Sequence, residues 1–211
     1  VRQRIDHLCS HFTKYLRVYE VQARFTGPSL YFHRRAIALR VGKSLPELLA
    51  DQGFLESIYA TLASWGMHRM GSLGAKMVEF DEFSRSLRRQ QVLLKQAWGW
   101  SLETVDGRQL DTLWTLLRNL KVSTTRTALV ANSKALHHLL PQVIPPIDRA
   151  YTLRFFNYWD ISGKDERLFI RCQRGGDLAD LHQELLLPRQ ALHAARLVFT
   201  HPVDEKARDL S

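Results

Sequence analysis

Apolar residues recur at intervals of three and four along most of the chain, which is the period of an amphipathic α-helix. The first stripe covers residues 2–25 and contains Ile5, Leu8, Phe12, Tyr15, Leu16 and Tyr19. Similar stripes predict helices over residues 28–41, 44–51, 54–66, 81–98, 110–120 and 133–140. Asp148 is expected to begin a further helix that carries Tyr151, Phe155 and Tyr158, and three more are expected over 165–174, 177–187 and 188–200.

Glycine, proline and capping residues separate these stripes. Thr26-Gly27-Pro28 ends the first helix, Ser44 is a predicted N-cap, and Gly53 is a predicted break. Residues 67–75 indicate a loop, and the Thr-rich residues 122–130 indicate a short extended piece or a turn. The pattern predicts an all-α, globular, multi-helix fold, with residues 1–211 as a single helical domain and 202–211 as a polar tail. It leaves open whether the helices form one body or two lobes around a cleft.

Composition narrows the class of protein. The chain has 45% hydrophobic and 24% charged residues, which are ordinary globular values. No apolar run approaches the roughly 20 residues that span a bilayer, and no apolar run follows the charged residues 1–6 as it would in a signal peptide. Two cysteines without a Cys-x-x-Cys spacing are expected to be reduced thiols. We therefore expect no membrane partner and a cytoplasmic location, with association with the nucleoid left open.

Basic residues exceed acidic ones, 30 against 21, which gives a formal net charge of +9. Such an excess attracts polyanions, of which nucleic acid is the commonest. Several arginines are interleaved with aromatic residues, in Tyr31-Phe32-His33-Arg34-Arg35 and in Arg154-Phe155-Phe156. Since guanidinium groups bind phosphates and stack on bases, Arg34, Arg35 and Arg154 are predicted nucleic-acid contacts. The alternative is a basic protein without a polyanion partner.

The sequence predicts no metal or cofactor site. Walker, Gly-x-Gly-x-x-Gly, His-Glu-x-x-His, Gly-x-Ser-x-Gly and paired-cysteine patterns are absent from the sequence. His7 and His11 lie one helical turn apart, but a protein metal site needs three or four ligands. His137 and His138 are adjacent, so they point about 100° apart on a helix, and one is expected to pack while the other is exposed.

One segment carries a family resemblance. It begins with Val130-Ala131-Asn132-Ser133-Lys134-Ala135-Leu136, predicted to open a helix, and continues through Pro141 to Ile144-Pro145-Pro146-Ile147-Asp148-Arg149. This order resembles the core of the helix-hairpin-helix DNA glycosylase superfamily, in which a turn similar to Gly-Val-Gly-x-Lys precedes an apolar-Pro-Val-Asp segment. The resemblance covers residues 122–149. Ala131 and Asn132 stand where the family has turn glycines, and the interval from Lys134 to Asp148, 14 positions, is shorter than usual there.

The resemblance implies roles for particular residues. Lys134 matches the lysine that attacks the sugar C1′ as a Schiff-base nucleophile in bifunctional members of the family. Asp148 matches the aspartate that stabilises positive charge on the sugar. Helix N-termini and arginines would hold phosphates, which assigns DNA contacts to Asn132, Ser133 and Arg149 as well. The structural alternatives are that Asp148 only caps its helix and that Lys134 is a solvated residue of a first turn.

The sequence therefore predicts a DNA-binding helical protein that resembles base-excision glycosylases, with DNA favoured over RNA as the partner. Glycosylase or lyase activity is implied by the resemblance only, so the sequence leaves open whether the protein is an enzyme. Two alternatives remain open. One is a non-catalytic nucleic-acid-binding module, and the other is a helical protein-interaction domain with an acidic partner.

Overall fold

The computed structural model describes residues 2–22, 25–68, 70–71, 74–124 and 129–147. The helices predicted beyond residue 147 and the polar tail at 202–211 lie outside the described residues, as do Asp148, Arg149 and Arg154.

The described residues are mostly helical, which confirms the all-α class. The helices are α1 (Arg2–Ser10), α2 (Phe12–Gln22), α3 (Gly27–Arg40), α4 (Leu45–Ala50), α5 (Gln52–Leu62), α6 (Phe80–Arg89), α7 (Gln91–Ala97), α8 (Gly107–Asn119) and α9 (Leu129–His137). A π-helical turn, Ala63–Met67, continues α5. No helix in this part of the chain is long and apolar enough to cross a membrane.

Polar side chains fix the starts of several helices. The Glu47 carboxylate accepts hydrogen bonds from the backbone amide and hydroxyl of Ser44, at 2.7 and 2.6 Å, and so closes the first turn of α4 where the sequence predicts it. The Asp51 carboxylate accepts from the Phe54 amide at 3.0 Å. The predicted break at Gly53 is wrong, because the chain turns at Asp51 and Gly53 already lies in the first turn of α5.

Helix α5 lies at the centre of one continuous hydrophobic core. It packs most extensively on α3 and also contacts α4, α6 and α9. Phe54, Leu55, Ile58 and Leu62 are completely buried on it. The buried hydroxyl groups of α5 donate to carbonyls of the same helix, as Thr61 does to the Ser57 carbonyl at 2.7 Å. The helix therefore buries nearly its whole circumference without leaving these hydroxyls unsatisfied.

Two long predicted helices are each divided in two. Over residues 2–25 the break is a single turn residue, His11, whose amide still donates to the His7 carbonyl at 3.1 Å. Over 81–98 the break is at Gln90, which lets the two halves pack against different neighbours. Helix α6 contacts α4 and α5, whereas α7 contacts α4 and α8. The apolar stripe in the sequence does not show that the two halves contact different helices.

The segments expected to be irregular contain a little extended structure. Two-residue strands β1 (Met70–Gly71) and β2 (Gly74–Ala75) pair antiparallel within the predicted loop, a pairing that the sequence did not indicate. An isolated bridge joins Met77 to Ser123, which agrees with a short extended piece in residues 122–130. The two tryptophans after α7, Trp98 and Trp100, are half-buried against the core.

Candidate nucleic-acid interface

In the segment that carries the family resemblance, the helix begins earlier than predicted. Helix α9 already includes Leu129 and runs to His137, so Asn132, Ser133 and Lys134 lie inside it. The prediction that these residues form a turn and open the helix is wrong. All three side chains are buried, with 0% exposure for Asn132 and Ser133 and 6% for Lys134. In this structure they present no helix N-terminus to a phosphate.

Asn132 stabilises the end of the preceding helix. Its side-chain amide nitrogen donates to the carbonyls of Leu117 and Leu120, at 2.7 and 2.6 Å. Leu117 lies in the last turn of α8 and Leu120 is the C-cap residue after it, where carbonyls lack a partner within the helix. Asparagine is a poor helix former, and here its position inside α9 is explained by this capping contact. The structure therefore gives Asn132 a structural role, and its contact with nucleic acid stays a prediction.

Ser133 holds two parts of the segment together. Its hydroxyl donates to the Val130 carbonyl at 3.0 Å and accepts from the backbone amide of Ile147 at 3.0 Å. The chain thus leaves α9, turns at residues 141–143 and returns along the same helix. Ser133 is a buried link in this return and offers no exposed hydroxyl to nucleic acid.

The Lys134 amine lies against aromatic rings. Its Nζ is 4.4 Å from the centre of the Trp65 ring, and Phe25 stacks on that same ring with centroids 4.8 Å apart. The face of an aromatic ring attracts a cation, and the contact is stronger out of water. Trp65 is half-buried in the π-helical turn after α5. Lys134 is therefore neither solvated nor in a first turn, so that structural alternative is wrong for the described conformation.

A pair of histidines, the half-buried His33 and the buried His138, joins α3 to the end of α9. His33 Nδ1 and His138 Nε2 are 3.1 Å apart, and His138 Nδ1 lies 2.9 Å from the Lys134 carbonyl oxygen. A carbonyl only accepts, so His138 carries its proton on Nδ1, and its bare Nε2 accepts from His33 Nδ1. His137 Nδ1 donates to the Ile144 carbonyl at 2.8 Å. Exposures of 8% for His137 and 1% for His138 show that the expectation of one exposed histidine is wrong.

Burial keeps these imidazoles neutral. The pKa of His138 is lowered to about 3, mainly by burial; the neighbouring His33 and His137 also lower it, and two backbone hydrogen bonds raise it. Burial, with His137 and Arg34, lowers the pKa of His33 to about 4. Burial also lowers the pKa of His137. Among the described residues, no carboxylate contributes to these shifts.

The opposite face of α3 is exposed and basic. Arg34 and Arg35 are both exposed, although the Arg35 guanidinium lies beside Gly53 at the start of α5. Neither arginine forms an ion pair with a residue that the structure describes. Between them and Tyr31 lies a shallow recess of about 410 Å³. Its lining comes from residues one and two turns apart on this helix: Gly27, Leu30, Tyr31, Arg34, Arg35 and Ala38. Of the predicted nucleic-acid contacts in the described residues, only the two arginines are accessible.

The described residues contain no group of three or more histidine, cysteine or carboxylate side chains that could hold a metal ion. His7 and His11 stack on each other, with ring centroids 4.3 Å apart, and His7 Nε2 bonds to the Tyr15 hydroxyl at 2.9 Å. The pair therefore belongs to an aromatic stack on the surface of α1 and α2.

Sequence reasoning missed the contacts of Lys134 with Trp65 and of His33 with His138. Each contact joins two segments that are far apart in the chain, so no local spacing indicates it. The sequence of α3 contained one relevant signal, which was its amphipathic pattern. His33 and Ala36 lie on the inward face of this helix, and Arg34 and Arg35 lie on the outward face.

Comparison of the chain with protein-family models, with curated proteins and with solved structures finds no match. The resemblance to helix-hairpin-helix glycosylases therefore depends on residues 122–149 alone.

Proposed function

We propose that this protein binds nucleic acid, DNA in preference to RNA, through the outward face of α3. The observation that carries the proposal is the pair Arg34 and Arg35, adjacent, exposed and without an ion-pair partner among the described residues. Guanidinium groups in this state are available to phosphate oxygens, to which they donate charge-assisted hydrogen bonds. The net charge of +9 adds long-range attraction for a polyanion. A cytoplasmic or nucleoid location fits such a partner.

The test is the salt dependence of binding to random double-stranded DNA. Each phosphate contact releases a counterion, so affinity should fall steeply with salt. Replacing both arginines, Arg34→Gln with Arg35→Gln, should weaken binding to all sequences alike and reduce the slope of log affinity against log salt by roughly one for each phosphate that is no longer bound. The matched control is Arg108→Gln with Arg118→Gln, which removes the same charge from exposed positions on α8. A parent protein that binds neither DNA nor heparin at low salt would overturn the proposal in favour of an acidic protein partner.

The choice of DNA over RNA has its own comparison. Equal-length DNA and RNA duplexes of one sequence differ in groove shape and in the 2′-hydroxyl. We expect the parent to bind the DNA duplex more tightly. Tighter binding of the RNA duplex would still agree with the proposed phosphate contact but would make RNA the preferred partner.

Base excision with strand cleavage is a second proposed function, and a specific observation favours it. The hydrogen bond from the Ile147 amide to Ser133 brings the residue before Asp148 to the residue before Lys134. The shortened interval between the two matched residues is therefore compatible with a common site. The amine of Lys134 is also removed from water, as an amine nucleophile requires. The helix-hairpin-helix glycosylase-like fold is part of this second proposal.

The Lys134 amine is covered in the described conformation and lies over Trp65, so a sugar can reach it only after a local rearrangement. Borohydride should trap the parent covalently on abasic DNA if the amine forms a Schiff base there. Lys134→Ala should abolish trapping and leave binding nearly intact, whereas Lys95→Ala, at an exposed lysine, should change neither. Asp148→Asn should slow cleavage more than binding. A parent that is never trapped and processes no damaged duplex would leave nucleic-acid binding alone as the function.

A further inference from the structure

We propose that the recess on α3 is a binding site for an unpaired nucleotide, with the base on Tyr31 and the adjoining phosphate on Arg34 and Arg35. This inference rests on the proposed nucleic-acid binding and specifies the form of the ligand. The recess brings together the three chemical features that such a ligand needs: an exposed ring, an apolar floor and cationic donors.

The ring is accessible and held in place. Tyr31 is 58% exposed, although large apolar rings are usually covered. Phe32 packs against it edge to face, with ring centroids 5.2 Å apart, which limits the rotation of Tyr31. A ring fixed in this way loses little freedom when a base stacks on it. Stacking of this kind tolerates any base, because each has a π-face.

The floor and the charges lie at helical distances from the ring. Leu30 and Ala38 supply apolar surface below it, and Arg34 and Arg35 follow Tyr31 by three and four residues, on the same side of the helix. The volume of about 410 Å³ is enough for one nucleotide, which would stay open to solvent on its outer side because the recess is shallow. A base in a duplex is stacked and paired on both sides, so it cannot enter such a recess. The site therefore selects single strands or flipped nucleotides.

The experiment compares a single-stranded oligothymidylate with a random duplex of equal length, by fluorescence anisotropy. Tyr31→Ser should lower affinity for the single strand by about 5- to 100-fold and change duplex affinity by less than about twofold. Tyr31→Phe keeps the ring and should restore binding of the single strand. Tyr19→Ser removes an equally exposed tyrosine, 55% accessible, outside the recess and serves as the control. Ala38→Met fills the floor and should act like Tyr31→Ser.

A second readout reports on stacking itself. A single strand with an internal 2-aminopurine should lose fluorescence on binding the parent and Tyr31→Phe, and should lose less on binding Tyr31→Ser. If Tyr31→Ser matches the parent in both measurements while the double arginine variant still binds both nucleic acids weakly, the nucleotide site is refuted and phosphate binding stands. If the double arginine variant binds as the parent does, the proposed nucleic-acid interface fails independently. Equal losses on single strand and duplex for Tyr31→Ser would also overturn the inference.

Discussion

The backbone amide of Ile147 donates a hydrogen bond to the Ser133 hydroxyl at 3.0 Å, across fourteen positions of the chain. This one contact brings the extended Pro145-Pro146 segment back to the middle of α9. It joins the two halves of the motif on which the family resemblance depends.

Loss of that link should destabilise the fold. Ser133→Ala leaves the Ile147 amide, which is partly buried, without its acceptor, so we expect the free energy of unfolding to fall by about 1–3 kcal/mol. Urea denaturation measures the change. Ser10→Ala removes a hydroxyl that also bonds to the backbone, but at an exposed position, and should cost less than about 1 kcal/mol. Equal effects of the two variants would argue that the contact to Ile147 contributes nothing.

Asn132 offers a test that separates structure from binding. Asn132→Ala leaves the Leu117 and Leu120 carbonyls without their donor, and we expect a loss of about 1–3 kcal/mol in unfolding free energy. DNA affinity of the folded fraction should not change, because the side chain has no exposed surface. Measuring both quantities on one preparation decides between the roles. A variant of unchanged stability and weakened DNA affinity would restore Asn132 as a nucleic-acid contact.

The His33–His138 pair should make stability depend on pH. The folded pKa values of about 4 and about 3 lie below the ordinary value of 6.5, so the unfolded chain takes up protons that the folded chain does not as pH falls. The free energy of unfolding should therefore be highest above pH 6.5 and should fall towards pH 4, by up to about 1.4 kcal/mol per pH unit for each proton.

The window between pH 6.5 and about pH 5 is the informative one, because most carboxylates titrate below it. His33→Gln removes one titrating group and should reduce the slope there, whereas His68→Gln, at an exposed histidine, should not. Urea midpoints at closely spaced pH values supply the measurement. A slope that His33→Gln leaves unchanged would exclude this histidine as its source.

Burial of Lys134 predicts slow chemical modification. Its amine is covered and lies over the Trp65 ring, so an amine-acylating reagent should label it far more slowly than exposed Lys95. Trp65→Ala should raise the labelling rate of Lys134 and leave that of Lys95 as it was. Peptide mass spectrometry after short labelling pulses follows both sites in one sample. Rapid labelling of Lys134 in the parent would mean that the site opens readily in solution.

The sequence predicted where the helices lie along the chain better than it predicted which helices and side chains contact each other. Caps and apolar stripes are local signals, so the starts of α3 and α4 were found within one or two residues. The predicted start of α9 was wrong because asparagine and serine usually mark a helix start, whereas here Asn132 caps a different helix. This capping contact is a tertiary contact, and a local sequence pattern does not predict it.

The same distinction explains the site. Arg34 and Arg35 were predicted as nucleic-acid contacts because adjacent arginines beside aromatic residues can be recognised in the sequence. The contacts of Lys134 with Trp65 and of His33 with His138 join segments far apart in the chain. The recess was not predicted either, since it requires knowing which side of α3 the core covers.

The π-helical turn Ala63–Met67 holds one residue more than an α-helical turn needs, and the ring that covers Lys134 stands inside it. Gly66 follows the ring directly, with φ 78° and ψ 18°, a left-handed conformation that glycine adopts readily and other residues rarely adopt. The cover over Lys134 is thus held beside a reversal of the backbone, and a side chain at position 66 would strain that reversal.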